Sequence, residues 1–249
     1  MASRIKVLYE DKDILAIDKP AGILVDSISL RYPNVILAHR LDRETSGVLL
    51  LAKNKKAHIW LKEQFSAPAL ELKTKSRLAD RQARINKTYV AIVNGWVKHD
   101  HGIINKSIGR SPADFRRRLA GRGARGELRE AITEYKVLKR FTLPLTPSLR
   151  RAGEKVNFSY LEVKPKTGRT HQISVHMKYL NHGVVGDTLY NSSYIPPPPS
   201  GHLPLHRGRK REKKIRMMLH ALSIEFKDLK GKTVKVASPL PKEFGKLLK

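Results

Sequence analysis

Short apolar runs separated by charged turns set the pattern of this chain, and long amphipathic stretches are few. Ile5-Lys6-Val7-Leu8-Tyr9 and Ile14-Leu15-Ala16-Ile17 flank Glu10-Asp11-Lys12-Asp13, which predicts a hairpin stopped by Lys19-Pro20-Ala21-Gly22. Val35-Ile36-Leu37-Ala38 and Val48-Leu49-Leu50-Leu51-Ala52 are continuous apolar runs of strand length and predict buried strands. Asn54 is placed to cap a helix whose apolar positions Ala57, Trp60, Leu61 and Phe65 recur at helical spacing, with His58 off the stripe on the solvated side. Residues 87–97 alternate and are rich in Tyr, Val and Ile, so they predict a strand with Tyr89, Ala91 and Val93 on one face. Residues 131–141 and 157–164 predict two further strands, joined by a Pro-containing loop. A helix is expected over 170–181, capped by Thr170, with Ile173, Met177 and Leu180 inward. The last strands, 219–226 and 233–236, pair across Lys230-Gly231, and a terminal helix follows Pro241. Strands outnumber helices and most neighbours are hairpin-connected. The expected fold is therefore α+β, a large, mainly antiparallel mixed sheet with flanking helices, in a single domain over residues 1–249.

The pattern is broken at one place. His39-Arg40-Leu41-Asp42-Arg43-Glu44-Thr45-Ser46-Gly47 is densely polar, yet lies between two of the most apolar runs in the chain. The carboxylate of Asp42 is thereby expected at a strand end near the core, with Arg40 and Arg43 beside it. Such neighbours keep a carboxylate ionised where water is scarce. On charge and spacing alone, a buried Asp–Arg pair and a catalytic carboxylate both fit.

Charge changes the picture more than length does. There are 50 Lys and Arg against 22 Asp and Glu, a net charge of +28, which a neutral small-molecule substrate would not call for. Such a field attracts polyanions, and each phosphate neutralised releases counterions. A membrane partner is not expected: there is no long helix with one basic and one apolar face, and no run approaches the roughly 18 apolar residues of a membrane helix. The absence of Cys rules out disulfides and thiolate metal sites. His171 and His176 are five apart and lack the i, i+4 spacing of a helical metal pair, so no metal is expected. The N-terminus has no apolar signal core, and a cytoplasmic protein, as a monomer, is expected.

Three basic insertions stand out, near residues 66–85, 110–130 and 196–216. The second holds seven Arg interleaved with Gly121, Gly123 and Gly126, and reads equally as a flexible phosphate-contacting segment or as a disordered charged loop. The third joins a Pro196 to Pro199 spacer to a basic arm.

The polar nonapeptide resembles the H-R-L-D-x-x-T-S-G signature of the RluA-type RNA pseudouridine synthases. Lys87-Thr88-Tyr89-Val90-Ala91-Ile92-Val93-Asn94-Gly95 and Lys164-Pro165-Lys166-Thr167-Gly168-Arg169-Thr170-His171-Gln172-Ile173 resemble two more stretches of that family, in the same order. Gly186-Asp187 and Leu219-His220-Ala221 fit its C-terminal part. The resemblance implies the pseudouridine synthase fold, Asp42 as the catalytic residue, and isomerisation of uridines in structured RNA, rRNA or tRNA, without metal or cofactor. Whether such an Asp attacks C1′ or removes the C2′ proton is left open by the chemistry. By the same resemblance Tyr89 would lie over the target base and Arg40 would fill the gap left in the RNA stack; Arg43, beside Asp42, and Arg169 are the further substrate-binding candidates. One position departs: the family has Arg after His-Gln-Ile, and here Ser174 stands there. The resemblance makes that Arg the partner of the catalytic Asp, so its loss points to a slow enzyme, or to an RNA-binding scaffold of the same fold. A basic ribosome-associated protein is the remaining alternative that charge permits.

Overall fold

The computed structural model describes residues 5–66, 84–144, 155–191 and 215–249. The expected insertion at 66–85, the loop between residues 144 and 155, and the arm at 196–216 lie almost entirely outside the described residues.

In chain order the elements are β1 (Lys6–Glu10), β2 (Ile14–Lys19), α1 (Asp26–Ser29), β3 (Ile36–Leu37), β4 (Ser46–Ala52), α2 (Lys55–Ser66), β5 (Asn86–Asn94), β6 (His101–Asn105), β7 (Ile108–Arg110), β8 (Arg118–Ala120), β9 (Arg125–Arg129), β10 (Ile132–Pro144), β11 (Lys155–Pro165), α3 (Gln172–Tyr179), β12 (Leu219–Lys227), β13 (Thr233–Ala237) and α4 (Lys242–Leu248). A ten-stranded mixed sheet has the order β1-β2-β4-β12-β5-β11-β10-β6, with β13 paired to β12 and β3 to β4. This is the expected α+β architecture. By backbone contacts the chain divides into two compact units: Met1–Tyr89 with Lys164–Gly168 and His220–Pro239, and Val90–Val163 with Arg169–Leu219 and Leu240–Lys249.

The first unit is organised on β4, all seven residues of which are buried. Side chains of a strand alternate between faces, so a continuous apolar run is what a strand covered on both sides requires. Val48, Leu50 and Ala52 join Ile14, Ala16, Ala57, Leu61, Ile224 and Phe226 in one cluster. Leu49 and Leu51 join Leu15, Ile17, Ile28, Leu41 and Ala221 in another. β2 pairs antiparallel with β4 from Lys19↔Gly47 to Ile14↔Ala52. β12 runs parallel to β4 at His220↔Ser46 and Ala221↔Gly47, while β3 pairs with it antiparallel at Ile36↔Ala52 and Leu37↔Leu51. Thus β3 is shorter than the apolar run predicts, because it meets only the last two residues of β4. On α2, Asn54 caps as expected, its Oδ1 accepting the Ala57 N–H at 2.9 Å. Gln64 was not foreseen: it is buried, and its amide both donates to the Lys227 carbonyl and accepts the Lys227 N–H, at 2.9 Å each.

In the second unit, α3 is shorter than the predicted 170–181 and Thr170 does not cap it. The residue before the helix is His171, in the left-handed region at φ 55°, with no side-chain cap. Gln172 instead turns its Oε1 back to the Arg169 N–H at 2.9 Å. Asn181, at φ 62°, turns the chain away past the other end. Ile173, Val175 and Met177 are buried on α3, and so is Ser174. His176 is held between strands: its Nδ1 meets Thr133 Oγ1 at 2.8 Å and its Nε2 the Lys106 carbonyl at 3.0 Å. Burial pushes the His176 pKa down, so the ring is a neutral structural link. The arginine-rich stretch 110–130 departs from both sequence readings, since it contains strands. β8, β7 and β9 form a three-stranded antiparallel sheet of their own, packed through Ile108 and Ala120 on Val175, Leu189 and Tyr190.

Candidate active site

The polar signature forms the connection between β3 and β4 and runs into the first two residues of β4. His39 is turned inward. Its Nε2 accepts the Leu50 N–H at 2.9 Å, and its ring packs on Phe65 with centroids 4.6 Å apart. Burial above all, with the nearby charges of Lys87 and Lys62, takes its pKa down to about 3 against an opposing hydrogen bond with the Arg40 backbone. A neutral imidazole is what accepting a backbone N–H demands, so His39 is a positioning residue that ties the loop to β4. Leu41 is buried among the apolar residues of the first unit.

Asp42 follows, half-buried, and its carbonyl accepts the Thr45 N–H at 3.1 Å in the turn that leads into β4. The carboxylate is thus presented at the end of a strand whose own side chains are all buried. Arg40 and Arg43 are both exposed. Arg43 donates to Glu44 at 2.8 Å in a solvent-exposed pair, which contributes little to stability. What matters at Arg43 is its carbonyl, which accepts the Lys19 Nζ at 3.0 Å and the Gly22 N–H at 2.8 Å.

Lys19 is the residue the sequence did not bring forward. It is fully buried, and its ammonium also donates to the carbonyls of Pro20 and Ile23, each at 2.9 Å. An ammonium can leave water only if oxygens replace it, and three carbonyls from two loops do so here. Lys19→Met keeps the length but takes their side-chain donor from the Pro20 and Ile23 carbonyls and one of two donors from that of Arg43, and should lower unfolding free energy by about 3 kcal/mol. Chemical denaturation measures this; an unchanged midpoint would mean that the carbonyls find other donors.

The exit of the signature is equally constrained. Ser46 Oγ and His220 Nδ1 lie 2.8 Å apart, both residues buried, joining the signature to Leu219-His220-Ala221 on the neighbouring parallel strand. Tyr89 belongs to the same unit, packed against the cluster that holds Leu41 and Ala221. Although the residue as a whole is only partly covered, burial around its hydroxyl pushes the pKa well above the ordinary phenol range, and the Asp42 charge adds to this. Lys87, two residues before it, donates to the Thr167 carbonyl at 3.2 Å, linking the second motif to the third. Asp42, Tyr89, Arg40 and Arg43 therefore share one compact unit. Arg169 belongs to the other, where its Nε donates to the Glu130 carbonyl at 2.8 Å. Gly186-Asp187 is a turn, Asp187 Oδ1 accepting the N–H groups of Leu189 and Tyr190 at 2.9 and 3.0 Å.

The family model described as RNA pseudouridylate synthase matches residues 13–179. The chain belongs to the RNA pseudouridine synthase family. Within it, the chain is 36% identical to an RNA pseudouridine synthase of Aquifex aeolicus over 77% of its own length and 58% of that relative's. It is 32% identical to ribosomal large subunit pseudouridine synthase D of Borreliella burgdorferi, over 96% of this chain and 66% of the relative. An RNA pseudouridine synthase of Zymomonas mobilis is matched at 33% identity, over 96% of this chain and 95% of the relative. Among solved pseudouridine synthase structures, human RNA pseudouridylate synthase domain containing 1 superposes with a TM-score of 0.67 at 26% identity, covering 96% of this chain and 84% of that one. The chain thus spans about three fifths to two thirds of the first two relatives, and nearly all of the third.

Proposed function

We propose that this chain is an RNA pseudouridine synthase that uses Asp42 to isomerise uridine in ribosomal RNA. The observation that carries the reading is the placement of Asp42: a half-buried carboxylate at the mouth of a fully buried strand, in the unit that also holds Tyr89. In the reaction the N1–C1′ bond of uridine breaks, the uracil turns, and a C5–C1′ bond forms while the C5 proton leaves and N1 regains one. No electrons are exchanged with a second reagent. What the site must supply is an ionised carboxylate close to the sugar, a surface for the detached base, and a way to hold a nucleotide out of its helix, which costs a few kcal/mol. Asp42 supplies the first and Tyr89 the second. Arg40, exposed on the same loop, occupies the space the base leaves, while Arg43 and Arg169 meet phosphates. Ribosomal rather than transfer RNA is favoured by relatives named ribosomal large subunit pseudouridine synthase D.

Tyr89 sharpens the proposal. With its hydroxyl pKa raised by burial and by the Asp42 charge, it remains a neutral phenol across the working range and stacks or donates without acting as phenolate. Because the shift is upward, ionisation of Tyr89 begins only above the ordinary phenol value of about 10. Up to that pH the rate profiles of wild type and Tyr89→Phe should have the same alkaline shape. An alkaline limb present in wild type and missing from Tyr89→Phe would overturn this role. The function itself is tested by incubating the protein with uridine-containing large-subunit ribosomal RNA and mapping pseudouridine. Binding without any isomerisation would instead support the scaffold.

A further inference from the structure

The turn between β7 and β8 holds an aromatic ring out in water, on a backbone tied down by hydrogen bonds. Phe115 is 86% exposed. Asp114 on one side of it accepts from the Arg116 N–H at 2.9 Å and from its guanidinium at 3.1 and 2.9 Å, while the Arg117 N–H donates to the Asp114 carbonyl at 2.9 Å. The Arg117 carbonyl accepts the Ser111 N–H at 3.2 Å, closing the turn. Arg118 then reaches back, its Nη1 donating to the carbonyls of Phe115 and Arg117 at 3.1 and 3.0 Å. The base of the turn is fixed as well: the Arg118 N–H donates to the Tyr190 hydroxyl at 2.8 Å, and that hydroxyl lies 2.9 Å from His171 Nδ1. Arg116 holds the Asp114 carboxyl down to about 2, so the pair stays ionised at neutral pH.

The ring is exposed on this closed turn, and the stretch of chain that carries it is strongly basic. Seven arginines lie between residues 110 and 129 against only Asp114 and Glu127. Among the described residues of the turn, one exposed ring in so arginine-rich a stretch is too small an apolar area for a protein interface, and it lacks the apolar face a membrane needs. It suits a partner that alternates anionic and flat aromatic groups. A duplex covers the faces of its bases, whereas an unpaired nucleotide offers a base to stack and phosphates to pair. We infer that the β7–β8 turn is an RNA-loop contact in which Phe115 stacks on an unpaired base and the adjacent arginines take the flanking phosphates. This contact rests on the reading of the chain as an RNA-binding enzyme and adds to it a preference for RNA with a single-stranded loop.

The test compares wild type, Phe115→Ala and Phe115→Trp for binding to a uridine-containing RNA hairpin and to a fully paired duplex of matching length, across a salt series. Stacking of one base is worth enough to make Phe115→Ala weaken hairpin binding by about tenfold or more. The same variant should leave duplex affinity and the salt slope unchanged, since no charge is lost. Phe115→Trp should bind the hairpin like wild type. Equal hairpin affinity for Phe115→Ala and wild type, with wild type binding well, would overturn the contact alone. Equal losses on hairpin and duplex would also overturn it, as a general weakening. Failure of wild type to bind either RNA would overturn the contact together with the enzymatic reading.

Discussion

Asp42→Asn should abolish isomerisation while leaving a folded protein that still binds RNA. Asn has nearly the shape of Asp, and the turn into β4 is closed by the residue 42 carbonyl, which the substitution keeps. Only the negative charge and its basicity are lost. A neutral amide neither attacks C1′ nor accepts the C2′ proton, so both routes fail together, and turnover should fall by at least about 10³-fold. That corresponds to about 4 kcal/mol of lost transition-state stabilisation. RNA affinity should stay within about tenfold of wild type, because phosphates gain nothing from a carboxylate. Release of tritium from RNA labelled at C5 of uridine reports the rate, since C5 gives up its hydrogen when it joins C1′. Turnover near the wild-type level would remove Asp42 from the mechanism.

Gly47→Ala should cause the larger loss of stability. Gly47 has φ 113°, a conformation that side-chain-bearing residues rarely adopt. A Cβ there would overlap the backbone of Ala221, lying 2.7 Å from its carbonyl carbon and 2.8 Å from its nitrogen, and closer still to its oxygen. The obstacle is the neighbouring strand, so no side-chain rotation relieves it; β4 and β12 must part where they pair at Ala221↔Gly47. The buried contact between Ser46 and His220, one residue away, would part with them. We expect a loss of about 4 kcal/mol or more, which for a chain of this length lowers Tm by about 10 °C. Calorimetry on the purified variant decides the matter: a Tm within a degree or two of wild type would mean that the two strands separate at little cost. The glycine of the signature is thus required by the approach of another strand, independently of any chemistry with RNA.

Much of this protein was legible in the sequence. Alternation and apolar runs located the first hairpin, β4, α2, β5, β10, β11 and the last hairpin, because burial of one face or both is written into residue order. The charge pointed to nucleic acid, and the density of polar residues between two apolar runs singled out the stretch around Asp42, for the same reason: each is a property of composition over a short window. Where the sequence left alternatives open or was overruled, the deciding groups lie far apart along the chain or belong to the backbone. Residues 110–130 looked unstructured because their strands are short and polar. They are ordered by packing on Val175, Leu189 and Tyr190, which no local pattern reveals. Thr170 has the chemistry of a cap, but a left-handed His171 starts the helix elsewhere. Arg43 was noticed for its charge, whereas the fold uses its carbonyl; Lys19 was noticed only as the start of the stop after the first hairpin, whereas its ammonium is enclosed by three carbonyls from two loops. His39 became a neutral acceptor only through its burial against Phe65 and β4. Sequence by itself determined where most strands and helices form and where polar side chains gather between apolar runs. Tertiary structure alone decided which backbone groups needed those side chains, because an unpaired carbonyl or N–H is the same in every residue and acquires its partner only when distant segments meet.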